Sequence, residues 1–316
     1  MTKTATPAKT TSTSTEKVEA ASAAVVASLI EQIEAGADGS GWAKVWKSLA
    51  RRGGAAKVIG GQYNGGNYIA CVMAEMTGAV GPWGTYKQWE AKGSQVRKGE
   101  HGLKLLRPMP FEKKAKDGTV QLDKNGKPVK GIWFQVFSVF SSNQVDGWDA
   151  PVIEPTAEVE KTDALGWAEQ VVEAHNVAMA EGEPAFWPVH DRITMPAVEH
   201  FYSADAYVVT LGHELTHWTG AKTRLARDLS GRFGDHSYAA EELVAELGAA
   251  FIAARLGLTD VAPRADHTAQ YLANWLACLK ETPSRLWTAA SAAEKAVGYL
   301  VAPLVTEVAE EDLVDA

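Results

Sequence analysis

Apolar positions between Val18 and Ala35 recur at Val25, Leu29 and Ile33, the i, i+4, i+8 spacing of one helix face, and Gly36 supplies a stop. Residues 1–16 ahead of this helix are rich in Thr, Ser and Lys and hold too little apolar content to offset the entropy of ordering, which predicts a disordered tail. Residues 41–105 mix short helical stretches with Gly-rich turns such as RRGG and YNGGN. Leu103–Leu106 and Gly131–Phe140 have the β-branched and aromatic content of strands. The segment between them holds an Asp-Gly and an Asn-Gly turn signal, so an antiparallel pairing is expected. Residues 17–141 therefore predict an α+β domain with an antiparallel sheet. Residues 142–162 lose periodicity and gain proline and acids, as a linker does.

Residues 163–316 predict a second, mainly helical domain. Its first helix runs to about Ala180, with extended segments at Ala185–Val189 and Ile193–Met195. Further helices are expected at Asp205–Thr219, Tyr238–Arg255, His267–Leu279 and from Pro283 to Val301.

The composition, 316 residues with 46% hydrophobic and 22% charged, suits two ordinary domains. Cys71 and Cys278 lie far apart with no C-x-x-C spacing, which disfavours a disulfide framework and points to a reducing, cytoplasmic setting. No apolar run approaches the roughly 20 residues of a membrane span, and the N-terminal stretch lacks a signal-like apolar region, so neither a membrane nor secretion is expected. The net charge of -8 argues against a nucleic-acid partner only as an average. Residues 41–130 carry 17 Lys and Arg against 6 Asp and Glu, whereas the rest of the chain has 14 against 33. Such asymmetry implies separate partners for separate regions.

Within the basic region cations and rings interleave: Trp42, Lys44, Trp46, Lys47, Arg51, Arg52, Lys57, Tyr63, Tyr86, Lys87, Arg97 and Lys98. Single-stranded nucleic acid is held by such a combination, a positive groove along the backbone and aromatic faces under the bases. Asn67 and Gln88 add polar groups that reach a phosphate backbone, and Gly65 and Gly66 would allow its close approach. The bland alternative is that the rings are core and the lysines a solvated face. No Walker A or G-x-G-x-x-G loop occurs, so a nucleotide-driven motor is not indicated.

The sharpest motif is His213-Glu214-Leu215-Thr216-His217 within the predicted helix Asp205–Thr219. Positions i and i+4 share a helix face, so both imidazoles reach one metal ion with Glu214 beside them as general base. A His₂Glu zinc site needs a downstream carboxylate, and Tyr238–Glu246 offers Glu241, Glu242 and Glu246. Glu242 has another acid, Glu246, at i+4 on its own face, whereas Glu241 lies about 100° round the helix with Ala245 at i+4. Glu242 is thus the expected third ligand and Glu246 the carboxylate behind a ligand. Zn²⁺ suits this set, and Mn²⁺ or another divalent ion could occupy it. Peptide hydrolysis matches the chemistry, with Tyr207, His236 and Tyr238 as oxyanion donors by proximity alone.

Together these residues resemble the ArdC-type antirestriction proteins of conjugative plasmids. The matching stretches are Trp42–Trp46, Tyr63-Asn-Gly-Gly-Asn67, Gly84-Thr-Tyr-Lys-Gln-Trp89, Gly93–Gly102 and Val139-Phe140. In the second half they are Asp191–Pro196, His213–Gly220, Arg224-Leu225, Phe233-Gly234 and Tyr238–Glu246. The chain departs from the family in lacking the aromatic-Pro entry near Trp42. The resemblance implies an N-terminal single-stranded-DNA-binding domain, also found at the start of some plasmid primases, and a C-terminal zincin-like, gluzincin-type metallopeptidase domain. It implies protection of incoming plasmid DNA from host restriction. A second possibility is a metalloprotease that cleaves a host regulatory or restriction protein, with the basic domain as tether. A third is a metal site that only supports the fold, against which stands Glu214, since a structural site needs no base.

Overall fold

Thr13 opens helix α1, Ser14–Glu34, with a capping box in which its hydroxyl accepts from the Glu16 amide at 3.3 Å and the Glu16 carboxylate accepts from the Thr13 amide at 2.7 Å. The helix therefore begins four residues before Val18, inside the stretch expected to be a tail, because a Thr-x-x-Glu box sits in the Thr/Ser-rich composition. The structure is a computed structural model and describes residues 13–35, 40–50, 54–115, 117–124, 126–149, 163–231, 236–258, 261 and 276–311, with His236 and residues 305–311 as backbone only. The rest of the expected tail, most of the expected linker and most of the expected helix at His267–Leu279 lie outside these residues.

The fold is α+β. Helices α2 (Ser40–Leu49), α3 (Gly65–Met76) and α4 (Tyr86–Ala91) follow α1, and α2 buries Trp42, Val45, Trp46 and Leu49 at i, i+3, i+4 and i+7. Strand β1 (Trp83–Gly84) pairs with the end of a long antiparallel pair, β3 (Leu103–Glu112) and β4 (Lys130–Ser141), in register from Leu103 opposite Val139 to Glu112 opposite Lys130. β2 (Gln95–Val96) pairs with β5 (Val145–Asp146), and Trp148 packs edge-on against buried Trp89. The chain from 142 to 149 thus belongs to the N-terminal half rather than to a linker, in a two-residue strand too short to show a period.

In the C-terminal half, α5 (Ala164–Ala174) precedes β6 (Ala178–Glu181), β7 (Ala185–Trp187) and β8 (Arg192–Met195), a sheet ordered β6-β8-β7. Helices α6 (Ala204–Thr219), α7 (His236–Leu256) and α8 (Arg285–Glu311) complete it. The halves share one core. Buried residues form a continuous cluster from Ala21 to Leu300, and α8 packs against α3 as well as α5, α6 and α7. Gly66 makes that approach possible, since a Cβ there would lie 2.4 Å from the Trp287 indole. Cys71 and Cys278 are both free and buried. Among the described residues no helix is long and apolar enough to cross a membrane.

Candidate functional site

The pentad occupies the last two turns of α6. Ser203 caps this helix by accepting from the Ala206 amide, and all but one of residues 208–219 are buried, so the helix runs through the core with its histidines pointing at α7. The two helices can cross closely because Gly248 faces Thr216, where a Cβ would meet the Thr216 hydroxyl at 2.3 Å. That proximity brings imidazoles and carboxylates together.

The Nε2 atoms of His213 and His217 are 3.2 Å apart, and each lies 3.6 Å from a Glu242 carboxylate oxygen. These three donors converge on one point, as a metal site requires. A tetrahedral ion with ligand bonds of about 2.1 Å needs donors about 3.4 Å apart, so the separations fit. The remaining ring nitrogens face carboxylates: His213 Nδ1 lies 3.5 Å from Glu246, and His217 Nδ1 lies 3.2 Å from Glu241. Glu214 is buried at 4% exposure in the same helix. Two imidazoles thus sit among four largely buried carboxylates, an excess of negative charge that favours a cation.

The electrostatics follow from that crowding. Burial pushes the His213 imidazole down, but the carboxylates of Glu242 and Glu246, with the charge of Glu214, outweigh it and hold the group well above the usual histidine range. Burial works against Glu242 ionising, yet His213, His217 and a hydrogen bond from Tyr238 bring its carboxyl down to about 2. Of the three oxyanion donors expected by proximity, Tyr238 touches the site. Tyr207 stands edge-on to Phe201, and the His236 side chain lies outside the described residues.

Glu241, passed over as a ligand because Ala245 stands at i+4, faces a ring nitrogen of the pentad. Its neighbour of consequence is not at i+4 on α7 but His217 across the helix pair. Arg227 clamps the carboxylate through Nε at 2.9 Å and Nη2 at 2.7 Å, and donates to the Thr219 hydroxyl at 2.9 Å and the Thr216 carbonyl at 2.6 Å. Burial raises the Glu241 carboxyl, but His217 and Arg227 bring it below the usual range. Arg227 lies in a loop 14 residues before Glu241, where no periodicity signals it. Nearby, Arg224 pairs with both Asp191 oxygens, donates to the Trp218 carbonyl at 2.7 Å and lies 3.7 Å over the Trp218 ring, fixing the end of α6.

The expected DNA contacts separate into groups. Trp42, Trp46 and Tyr63 are buried core residues, so none offers a face to a base. Asn67 uses its side chain to bracket Leu106, donating to the carbonyl at 2.7 Å and accepting from the amide at 2.9 Å. Gly65 donates to Glu294 and Gly66 meets Trp287, so this turn serves helix contact rather than phosphate approach. Gln88 closes a capping box with Thr85, and Arg97 is engaged with Glu100 at 2.9 Å and with the Val145 carbonyl. Lys57 lies over the Tyr63 ring, and the exposed Tyr86 hydroxyl accepts from Gln95. Lys44, Lys47, Lys87 and Lys98 are exposed, while Arg51 and Arg52 lie outside the described residues. Two rings that are exposed, Phe111 and Trp133, were not among those expected.

Two family models match the chain: the N-terminal domain of anti-restriction factor ArdC over residues 19–140, and a zincin-like metallopeptidase over residues 167–292. The uncharacterised protein y4eC of Sinorhizobium fredii (strain NBRC 101917 / NGR234) is 37% identical over 224 residues, covering 70% of this chain and 71% of that protein. A DNA primase TraC of Escherichia coli is 35% identical over 292 residues, and although 88% of this chain is covered, it spans only 20% of the primase. Among solved structures, the antirestriction ArdC protein from plasmid R388 superposes in metal-free form with a TM-score of 0.68 at 28% identity, covering 92% of this chain and 98% of that one. Its Mn(II)-bound form gives a TM-score of 0.66 at 30% identity, covering 90% and 97%.

Proposed function

The chain belongs to the ArdC family of antirestriction proteins, and on that premise we propose that it binds single-stranded DNA through its basic N-terminal half and shields incoming plasmid DNA from host restriction, while its C-terminal half carries a divalent-metal-dependent, peptidase-type site. The observation that supports the site is the convergence of His213, His217 and Glu242 on one point. His213 and His217 would present Nε2, and Glu242 a carboxylate oxygen, to Zn²⁺ or Mn²⁺. Glu246 and Glu241 would accept from the two Nδ1–H groups, fixing the tautomers that leave the Nε2 lone pairs free to bind. A bound divalent ion supplies Lewis acidity toward a carbonyl and eases ionisation of a water. Glu214 would take a proton from the attacking water at its carboxylate and return it to the leaving amine. Tyr238, whose side chain bonds Glu242, would be the hydroxyl donor to a developing oxyanion.

The same proposal divides the chain into a DNA-binding half from α1 through β5 and Trp148 and a peptidase-like half from residue 163 onward. The buried Glu214 gives weight to a second possibility, cleavage of a host protein by the C-terminal half with the basic half as tether.

DNA binding is tested by fluorescence anisotropy of the full chain with a labelled oligonucleotide. Four phosphate contacts on a single strand would weaken binding about fiftyfold when salt rises fourfold, and a single strand should bind more tightly than its duplex. Affinity indifferent to salt would contradict the proposal.

A further inference from the structure

β3 and β4 outrun the rest of their sheet. β1 pairs only with Phe140 and Ser141, so from Ser138 to Lys130 the pair is a two-stranded arm. Its register puts Phe111 opposite Gly131, Met109 opposite Trp133, Arg107 opposite Gln135 and Leu105 opposite Phe137, all on one face. Leu105 is buried at the root, and from Arg107 outward the face opens. Phe111 and Trp133 are 43% and 44% exposed, which removes them from the core as an explanation of their presence. The Arg107 guanidinium lies 5.1 Å over the Phe137 ring. At the tip, a Cβ on residue 131 would come within 2.5 Å of the Phe111 ring, so glycine there lets that ring lie across the partner strand.

We propose that this face is a stacking platform for single-stranded DNA, with Phe111, Trp133 and Arg107 each taking a base and Phe137, packed against the core, backing the Arg107 guanidinium. The proposal rests on the single-stranded-DNA function above and assigns it a location that the sequence pattern did not indicate. Side chains on one strand face recur about every 7 Å, so the three flat groups form a row of discrete steps rather than one patch. Rings and guanidinium planes accept any base by stacking. Residues 103–141 carry 8 Lys and Arg against 3 Asp and Glu in a chain of net charge -8, which complements a phosphate backbone. A duplex keeps its base faces stacked inside and could not use the rings.

The test is anisotropy of the full-length protein with fluorescein-labelled oligothymidine. Trp133→Ala and Phe111→Ala should each weaken binding at least about tenfold, whereas Trp133→Phe, which keeps a ring, should stay within about threefold of wild type. Ile132→Ala, on the opposite face of the same arm, should bind as wild type does, with unchanged melting in all four variants. If wild type binds the oligonucleotide and both alanine variants bind equally well, or if Ile132→Ala weakens binding as much as Trp133→Ala, the platform is wrong and the DNA function stands. If wild type does not bind single strands at all, the function falls and the platform with it.

Discussion

Glu242→Ala and His213→Ala should each leave the purified protein without stoichiometric divalent metal, whereas wild type should carry about one ion per chain. Among the described residues three donors converge between α6 and α7, and a catalytic-type site leaves its remaining positions to water, so loss of one ligand leaves the ion with two. Glu246 and Glu241 already face the Nδ1 atoms. Elemental analysis after gel filtration reads the result, and wild-type metal content in either variant would remove the assigned site. Metal binding at this site has a pH dependence of known sign. Because His213 is held well above the ordinary histidine range, a cation must displace its proton, so metal affinity should fall as pH drops through that raised value. Glu242, brought to about 2, stays ionised throughout. In chelator-stripped protein the signs run oppositely for stability. The raised His213 contributes fully below about 6.5, the unfolded value, and its contribution is lost as pH rises through the folded one. The lowered Glu242 contributes above about 4.5 and its share is lost as pH falls toward 2.

Arg227→Ala should weaken metal binding by about 10- to 100-fold although Arg227 approaches neither metal-facing nitrogen. Its guanidinium holds Glu241, and Glu241 faces the Nδ1 of His217, so the arginine acts through two positioning contacts. The ion pair is largely buried, with both side chains near 11–12% exposed, and removing one partner strands the other. Losses of about 3–5 kcal/mol in folding stability accompany such a cut. Arg227→Lys keeps the charge but loses the fork that also reaches Thr219 and Thr216, and should fall between wild type and Arg227→Ala. Calorimetric titration with Zn²⁺ alongside thermal melting checks both effects. Unchanged metal affinity in Arg227→Ala would show that Glu241 does not orient His217.

The helices bearing the site were legible because i, i+4 spacing is a property of one helix: His213 with His217 on α6, and Glu242 with Glu246 on α7. Glu241 escaped because its partner lies on the facing helix, and which residues meet across two helices depends on the crossing that Gly248 permits. Trp42 and Trp46 misled for a related reason. Interleaved rings and lysines resemble a nucleic-acid surface, but exposure is settled by the side on which the amphipathic stripe falls, and Val45 and Leu49 put both indoles in the core. Phe111 and Trp133 carry the opposite lesson, since their common face exists only once the β3–β4 register is known. The strand pair itself was foreseen from composition and turn signals, whereas β5 was not, two residues being too few to show alternation.

On the proposed function, protection depends on DNA binding by the basic half, with the metal site beside it rather than in its path. Transfer of unmodified plasmid DNA into a restricting recipient that makes either wild-type protein or Glu214→Gln tests this most directly. Equal protection by the two is expected, because Glu214 would contribute only proton transfer at the peptidase-type site. Loss of protection in Glu214→Gln, with its single-stranded-DNA affinity intact, would make cleavage of a host protein the activity that matters and DNA binding alone insufficient.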